Sequence, residues 1–430
     1  MTLWEPASPA MPLLGRSRFI GDAHAAIFKP EHRKGSGLKR FLRYSLILVA
    51  LLAAFLAFVA ISAWPNIGTL PDAAQTAKDA KSPEWRDGKF ENPLPMYTNV
   101  KGGVLQMLKS APGEEPDAPV PTMDSSALYK KPPSSGLRIT WFGHSSMLLE
   151  IDGTNIVVDP LWSERASPFS WLGPKRWYEP PVPIDHLPHV DAVVVSHDHY
   201  DHLDRASIQA FNALGVRFIV PLGVASHLRG WGVPAERITE LDWWQEAKVG
   251  NLTIVSTPSR HASGRLSARS DVTLWTGYAL IGKEHRVFYS GDTGFNDTFA
   301  DVGTKYGPFD VSLIEAGQYD AQWPDWHLGP EQAMKVHEEV RGKVLIPVHW
   351  GLIKLAHHAW TEPPERILAA AKCSHAEVLV PEPGQAVEPT TNPVIPRWWP
   401  QQHVATAQEK PIVASTHGDP AQKFAIPTCP

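Results

Sequence analysis

The chain has 430 residues and a net charge of −5, and its hydrophobic content of 43% is ordinary for a protein with a packed core. This composition excludes a wholly disordered chain, and the acidic balance argues against a general nucleic-acid binder. Only two cysteines occur, Cys373 and Cys429, which excludes a disulfide scaffold and a cysteine-rich zinc module. Whether these two cysteines pair stays open.

The N-terminal 43 residues form a basic arm. They carry a net charge of +5, whereas the rest of the chain carries −10. A run without Asp, Glu, Lys or Arg follows, and within it residues 44–64 are apolar with Tyr44 and Trp64 at the ends. At 1.5 Å per residue a helix of this length spans about 30 Å, the thickness of a bilayer core. We therefore expect a transmembrane anchor there.

The arm and the apolar run are both longer than a cleaved signal peptide usually has, so we expect the anchor to stay in place. Six Lys or Arg residues lie in residues 24–43 and two in residues 65–84. Basic flanks remain in the cytoplasm. The sequence thus predicts a single-pass membrane protein with a cytoplasmic N-terminus and its catalytic domain on the periplasmic or extracytoplasmic side.

Residues 65–136 are rich in Pro, Gly, Asp and Lys and are expected to form a linker and an irregular lead-in. Regular alternation predicts strands over residues 137–141, 147–151, 155–159, 192–196, 217–220, 252–257, 273–281, 286–290, 311–315 and 344–348. Helical patterns cover residues 205–214, 296–306, 330–340 and 364–372. This places one catalytic domain over residues 137–385, and a proline-rich tail without periodicity, disordered or lying on the surface, over residues 386–430.

Metal-binding residue types are concentrated where predicted strands end. Directly after the apolar strand Asp191–Val195 comes the segment Ser196-His-Asp-His-Tyr-Asp-His202. In an extended segment His197, His199 and Asp201 point to one side and His202 points away. Three imidazoles and one carboxylate within six residues form a ligand set that suits Zn, Fe or Mn.

Three further residues of this kind follow other apolar strands. His261 follows LTIVSTPSR, Asp292 follows RVFYSG and His349 follows KVLIPV. Each alone is weak evidence, because a single His or Asp after a strand is more often a turn or core residue. Together they indicate one site at one edge of a sheet.

This combination resembles the metallo-β-lactamase superfamily over about residues 137–385. The resemblance implies an αββα sandwich, an α/β fold with a dinuclear metal site at one edge of the paired sheets. By the pattern of the superfamily, His197, His199 and His261 hold the first metal, Asp201, His202 and His349 hold the second, and Asp292 bridges both. The expected cofactors are two divalent ions, in the first place Zn²⁺, with Fe or Mn as alternatives.

Finer motifs resemble the branch that contains N-acylphosphatidylethanolamine-hydrolysing phospholipase D and relatives of sugar-phosphate lactonases. They are WFGHSS from Trp141, DPLW from Asp159, RASP from Arg165, RHASGR from Arg260, HLGPE from His327, PVHWG from Pro347 and EPP from Glu362. Trp326 stands where the phospholipase has Gln. The anchor is a second departure, since the phospholipase pattern does not require it.

Two neighbouring cations would share a water, lower its pKa and present hydroxide as the nucleophile. Asp201 and Asp292 then count as catalytic as well as metal-binding. His327 is a candidate to contact a substrate phosphate or to assist the leaving group, with a structural contact near a helix start as the alternative. His144 and Asp159 are candidates to orient ligand imidazoles through their outer N–H groups.

Several tryptophans in predicted loops suit an apolar groove for acyl chains, although most tryptophans in any protein belong to the core. They are Trp162, Trp171, Trp177, Trp243, Trp244, Trp323 and Trp326. The first hypothesis is thus a membrane-anchored phosphodiesterase of phospholipase D type. A metal-dependent lactonase or ester hydrolase acting on a small, possibly phosphorylated molecule is the alternative, and an anchored metal-binding protein for assembly or sensing is the non-enzyme alternative. Lipid or a small phosphorylated compound is the expected partner, and nucleic acid is not.

Overall fold

The computed structural model describes residues 36–99, 111–265 and 269–425. Most of the basic arm, residues 1–35, lies outside the described residues, and so does Cys429. The chain divides into two compact units, Met1–Ala57 and Phe58–Pro430. The helices and strands below are numbered in chain order.

The apolar run forms one long helix, α1 (Ser36–Ile67). Residues Gly37–Ile67 are long and apolar enough to cross a membrane, with a mean hydropathy of 2.9 in the most apolar window, of which 6% is buried. The expected anchor, residues 44–64, lies inside this helix. The helix extends beyond this span at both ends, to Ser36 and Ile67, and it includes Pro65, which has no N–H to donate to the preceding turn.

The first sheet has seven strands in the order β16-β3-β4-β5-β6-β7-β8. Its members are β3 (Leu137–Gly143), β4 (Ser146–Ile151), β5 (Thr154–Val158), β6 (Ala192–Val194), β7 (Arg217–Pro221), β8 (Ile238–Leu241) and β16 (Ala386–Val387). Strands β3 to β5 pair antiparallel, and β5 to β8 pair parallel.

The second sheet also has seven strands, in the order β15-β14-β13-β12-β11-β10-β9. Its members are β9 (Glu246–Val249), β10 (Leu252–Thr257), β11 (Gly277–Ile281), β12 (Arg286–Tyr289), β13 (Phe309–Glu315), β14 (Gly342–Val348) and β15 (Glu377–Val378). Strands β9 to β12 pair antiparallel and β12 to β15 pair parallel.

The two sheets pack face to face, and helices cover their outer faces. Along β5, Ile156 and Val158 pack between the sheets, while Val157 packs against the helices. Successive side chains thus point to opposite faces of the sheet, and both faces are buried. The strands are therefore continuous apolar runs rather than alternations of apolar and polar residues. The arrangement is the expected αββα sandwich.

Two helices lie on the first sheet and three on the second. The first pair is α3 (Arg205–Ala213) and α4 (Ala225–Gly230), and the other three are α5 (Thr298–Tyr306), α6 (Pro330–Glu339) and α7 (Glu362–Ser374). Their apolar faces pack through Ile208 and Phe211 on the first sheet and through Phe299 and Val336 on the second. The four helices predicted within residues 137–385 match the observed ones to within two residues at each end, whereas α4 and the short helix Ala73–Asp79 of the lead-in were not predicted.

The segments before and after the sandwich also pack on it. The lead-in contains α2 (Ala73–Asp79) and a small ribbon of β1 (Trp85–Arg86) and β2 (Lys89–Phe90). In the tail, β16 pairs with β3, and Trp399 is 5% exposed within the core between the sheets. The described part of the tail therefore lies on the sandwich, with Trp399, Ile412 and Ala414 buried and most of its other residues exposed or half-buried.

Candidate metal centre

The chemistry-bearing residues meet where strands of both sheets end. In the first sheet, Asp159 follows β5 and the segment from His197 follows β6. In the second sheet, His261, Asp292 and His349 follow β10, β12 and β14. Because the two sheets face each other, these strand ends bring the side chains to one edge of the sandwich.

Three imidazoles converge on one point, and we call them the three-histidine group (His197, His199 and His261). His197 Nε2 lies 2.9 Å and His261 Nε2 lies 3.2 Å from His199 Nδ1. Asp292 Oδ2 is 3.7 Å from His197 Nε2 and 3.8 Å from His261 Nε2. The three nitrogens are close enough together to hold one metal ion.

A second set also adjoins Asp292, and we call it the mixed group (Asp201, His202 and His349). His202 Nε2 is 3.3 Å from Asp201 Oδ2 and 3.1 Å from Asp292 Oδ2. His349 Nδ1 is 3.1 Å from Asp292 Oδ1. The mixed group, with His144, is also able to hold a metal ion, and Asp292 adjoins both groups.

The histidine-rich segment turns more sharply than an extended strand. Strand β6 ends at Val194, and the backbone N–H groups of His202 and Leu203 both donate to the carbonyl of His199. This turn brings the His202 ring to 4.2 Å from the His197 ring. The expectation that His202 points away from its neighbours was wrong, because the extended geometry ends before residue 199.

Asp159 and His144 contact the mixed group from outside. Asp159 Oδ2 accepts a hydrogen bond of 2.7 Å from His202 Nδ1, and the same carboxylate accepts from Ser196 and Tyr289. His144 Nε2 lies 2.8 Å from Asp201 Oδ2. His144 has a φ of 51° and pairs through its backbone with Trp350, so the WFGHSS turn and the PVHWG turn fix each other.

Burial favours the neutral form of most of the imidazoles, but at His202 the carboxylates of Asp292, Asp201 and Asp159 outweigh burial and hold the pKa well above the ordinary value. Burial lowers the pKa of His197, His261 and His349 well below the ordinary value, and neighbouring imidazoles lower it further. Neutral imidazole is the form that binds metal. Burial also raises the pKa of Asp292 to about 6, although His202 opposes the shift.

The residues present fit two divalent cations. Asp292 Oδ1, His202 Nε2 and His349 Nε2 are buried, and none makes a hydrogen bond among the described residues, since the 3.1 Å approaches of Asp292 to His202 and His349 are close contacts without hydrogen-bond geometry. Buried polar atoms are normally satisfied, so these three call for a ligand. Imidazole and carboxylate are the donors that Zn, Fe and Mn accept, and the nearby acidic side chains of Asp159, Asp201 and Glu315 would offset the charge of two such ions.

His327 lies at the open side of the cluster, with its side chain 13% exposed. Its Nδ1 lies 2.8 Å from Glu315 Oε2, while Glu315 Oε1 accepts from the backbone N–H groups of Thr293 and Leu328. Glu315 was missed by the sequence analysis. The signal that could have found it is its position as an acidic residue at the end of the apolar strand β13.

Trp326, which stands where the phospholipase has Gln, contacts the site partly through its backbone. That contact does not depend on the side chain. His261 Nδ1 lies 3.1 Å from the backbone carbonyl oxygen of Trp326, and the indole N–H of Trp326 donates to Thr98. Any residue at this position offers that carbonyl. Trp in place of Gln therefore keeps the backbone contact to His261 Nδ1 and changes only the surface beside that histidine.

The loop tryptophans do not form one group. Trp243 and Trp323 are 8% exposed, and Trp171 is 42% exposed. The half-buried members are Trp162, Trp177, Trp244 and Trp326. Of these, Trp326 contacts the cluster directly, with its ring 5.7 Å from that of His261.

Comparison with known proteins agrees with this geometry. A family described as "Beta-lactamase superfamily domain" matches residues 154–350. The chain is 43% identical over 372 residues to an uncharacterised protein of Mycobacterium tuberculosis, covering 84% of this chain and 99% of that protein.

Two further similarities concern a named enzyme and a solved structure. The chain is 37% identical over 292 residues to the N-acyl-phosphatidylethanolamine-hydrolyzing phospholipase D 1 of Caenorhabditis elegans, covering 62% of this chain and 82% of that protein. A solved metallo hydrolase of Ignicoccus hospitalis aligns with a TM-score of 0.46 and 24% identity, covering 58% of this chain and 97% of that one.

Proposed function

The chain belongs to the metallo-β-lactamase superfamily of metal-dependent hydrolases, and from that premise we propose a membrane-anchored dinuclear phosphodiesterase of the N-acylphosphatidylethanolamine phospholipase D type. The observation that carries the proposal is the position of Asp292. Its two oxygens lie 3.1 Å from His202 Nε2 and from His349 Nδ1, and within 3.8 Å of His197 and His261. One carboxylate has two oxygens to share between two ions.

In this proposal the three-histidine group holds one ion, the mixed group holds the other, and Asp292 contacts both. Zn²⁺ is the first choice, because imidazole and carboxylate oxygen are among its usual ligands. Two such ions, when bound, lower the pKa of a water and neutralise charge on a phosphoryl or carbonyl oxygen. Asp159 fixes the ring of His202 through Nδ1, and His144 is hydrogen-bonded to Asp201.

The proton for the leaving group is assigned to His327. Glu315 occupies its Nδ1 at 2.8 Å, which leaves Nε2 as the atom available to a substrate. In phosphodiester hydrolysis the bond from phosphorus to the leaving oxygen breaks, water supplies the new oxygen, and the leaving oxygen takes up a proton. A positioned His does this work in general acid catalysis.

A lipid substrate is supported by two independent features. Helix α1 has the length and composition of a membrane span, so the enzyme would be held where lipid is concentrated. The relative from Caenorhabditis elegans carries the name of a lipid-hydrolysing enzyme.

We assign residues 1–43 to an arm, 44–64 to the anchor, 65–136 to the lead-in, 137–385 to the catalytic domain and 386–430 to a tail.

The deciding experiment assays the metal-loaded full chain against three substrate classes: N-acyl-phosphatidylethanolamine in mixed micelles, bis-p-nitrophenyl phosphate and a panel of lactones. We expect cleavage of the first two, with phosphatidic acid released from the lipid. Activity confined to the lactones would contradict the phospholipase proposal and support the lactonase alternative.

We expect metal analysis of the active protein to find two transition-metal ions per chain, and His199→Ala or Asp292→Ala to abolish hydrolysis. The matched control is His285→Ala, which removes a histidine that pairs with Asp152 outside the cluster. The control should keep both ions and full activity. One ion or none in active protein would rule out the dinuclear mechanism.

A further inference from the structure

Apolar side chains lie exposed on the surface of the second unit, in two segments that touch. On the last turns of α1, Phe58, Ile61 and Trp64 are 54%, 73% and 77% exposed. On the loop between β5 and β6, Trp171 and Leu172 are 42% and 44% exposed. The rings of Phe58 and Trp171 stack with their centroids 5.9 Å apart. These five residues are called the apolar patch.

The loop that carries Trp171 and Leu172 is held in shape by its own backbone contacts. Arg165 and Lys175 form a β-bridge at its base, and the N–H of Ala166 donates to the carbonyl of Pro174. Gly173 has a φ of 111°, and a Cβ there would lie 2.5 Å from Ser167 Oγ, so this turn requires glycine. Residues 168–172, called the aromatic loop, are thereby held at the tip.

Helix and loop are joined by more than the stacked rings. Asn66 Nδ2 donates a hydrogen bond of 2.9 Å to the carbonyl of Pro168. Phe169 packs beside Trp171 with ring centroids 5.2 Å apart. Two contacts, at residues 58 and 66, therefore place the aromatic loop along the end of α1.

The composition of the loop suits lipid rather than water. Residues 166–174 contain no ionisable side chain, and the sequence at the tip is Pro-Phe-Ser-Trp-Leu. Neighbouring exposed aromatic and aliphatic side chains on a soluble surface are uncommon and mark an interaction site. Tryptophan in particular favours the level of the lipid headgroups, where its ring is in an apolar layer and its N–H is hydrated.

We propose that the aromatic loop is a second membrane contact, inserted into the interfacial layer of the bilayer that α1 crosses. This inference rests on the proposed anchor, and the bilayer is the occupant because the apolar patch is continuous with the membrane-spanning helix itself. The loop adds Trp171 and Leu172 to the surface that the bilayer buries.

The same end of α1 is tied to the segment that carries the metal-binding residues. Arg265 is 1% exposed, and its guanidinium donates to the carbonyls of Asp198, Leu203 and Asn66. His227 bridges in the same way, with Nδ1 accepting from the N–H of Thr69 and Nε2 lying 3.2 Å from Asp198 Oδ2. The end of α1 that carries part of the apolar patch is thus hydrogen-bonded directly to the segment of the candidate metal centre.

The test places a polarity-sensitive fluorescent amino acid at Leu172 of the full chain, reconstituted in nanodiscs of phosphatidylcholine and phosphatidylglycerol. The matched control carries the same probe at Val394, which is 95% exposed. A third variant carries it at Leu52 within α1. We expect a blue-shifted emission at position 172 that nitroxide-labelled lipid quenches, and neither effect at position 394.

The three probes separate the two proposals. Quenching at position 52 without quenching at position 172 overturns the loop contact and leaves the anchor standing. Quenching at neither position overturns both. Quenching at position 172 alone overturns the transmembrane anchor and, with it, the proposal of a second contact beside a membrane span.

Discussion

At the residue scale, the carboxylate of Asp159 connects the two sheets below the metal-binding side chains. It accepts hydrogen bonds from the backbone and hydroxyl of Ser196, from His202 Nδ1 and from the Tyr289 hydroxyl at 2.6–2.7 Å. Ser196 and His202 belong to the first sheet's loop and Tyr289 belongs to β12. The orientation of the His202 imidazole is thereby set by a residue that belongs to neither of the two proposed metal-binding groups.

We predict that Asp159→Asn lowers metal affinity about 10- to 100-fold, because a ligand histidine loses the carboxylate that orients its ring. Competition with a chromogenic chelator measures the change. Asp152→Asn is the matched control, since Asp152 holds His285 at 2.7 Å in a similar pair outside the cluster. Equal losses of affinity in both variants would show that the effect is one of general stability.

The position of His327 leaves two roles that one variant separates. If His327 serves as the proton donor, His327→Ala lowers kcat by about 10²- to 10⁴-fold and keeps both ions, as expected for loss of a general acid. His327 also belongs to a set, with Asp292, Glu315 and His349, that is able to hold a metal. Loss of an ion from the His327→Ala protein would therefore assign it to metal binding instead.

Sequence reasoning located most of this cluster because strand ends of a sandwich converge. An apolar run followed at once by His or Asp was enough to select His261, Asp292 and His349. It could not select Arg265 or His227, because their importance comes from carbonyl and backbone groups that only the fold brings near. Glu315 lies between these cases. Its position at the end of a strand can be read from the sequence, but its pairing with His327 cannot.

At the scale of elements, the central strands were predicted to within about two residues, and the edge strands were missed. Strands β8 and β9 are half-exposed, and β15 and β16 have two residues each, so their sequences lack a clear apolar run. Strand β11 begins at Gly277 rather than at the expected Thr273. The N–H groups of Leu274 and Thr276 bond to Leu222 and Ser196 instead of to a neighbouring strand, a tertiary choice that propensity does not reveal.

Helix α2 contains a carboxyl group that makes stability depend on pH. Asp79 is buried, and burial raises its pKa from 3.8 to about 7, while Gln75 donates one hydrogen bond and the nearby Glu240 adds repulsion. Asp79 Oδ2 has no hydrogen-bond partner within the described part of the chain. Since the folded state holds the proton more tightly than the unfolded state, ionising Asp79 destabilises the fold.

The contribution of Asp79 is complete below pH 4 and is lost as the pH rises through 7. We predict that Asp79→Asn flattens the fall in the free energy of unfolding between pH 4 and 7, as measured by denaturant titration. Asp301→Asn on α5, at an exposed position, is the control and should retain the slope of the parent protein. An unchanged slope in Asp79→Asn would contradict the assignment.

At the scale of the whole molecule, the proposed anchor would decide which compartment the hydrolase faces. Lys39, Arg40 and Arg43 lie in or beside the first turns of α1, and residues 65–77 after the span contain no Lys or Arg. Basic residues next to a span stay in the cytoplasm.

We predict that a C-terminal alkaline phosphatase fusion is active and that the matching green fluorescent protein fusion is dark. Replacing the three basic residues with Asn should shift part of the population to the opposite orientation. A fluorescent fusion of the parent chain, with inactive phosphatase, would instead place the catalytic domain in the cytoplasm.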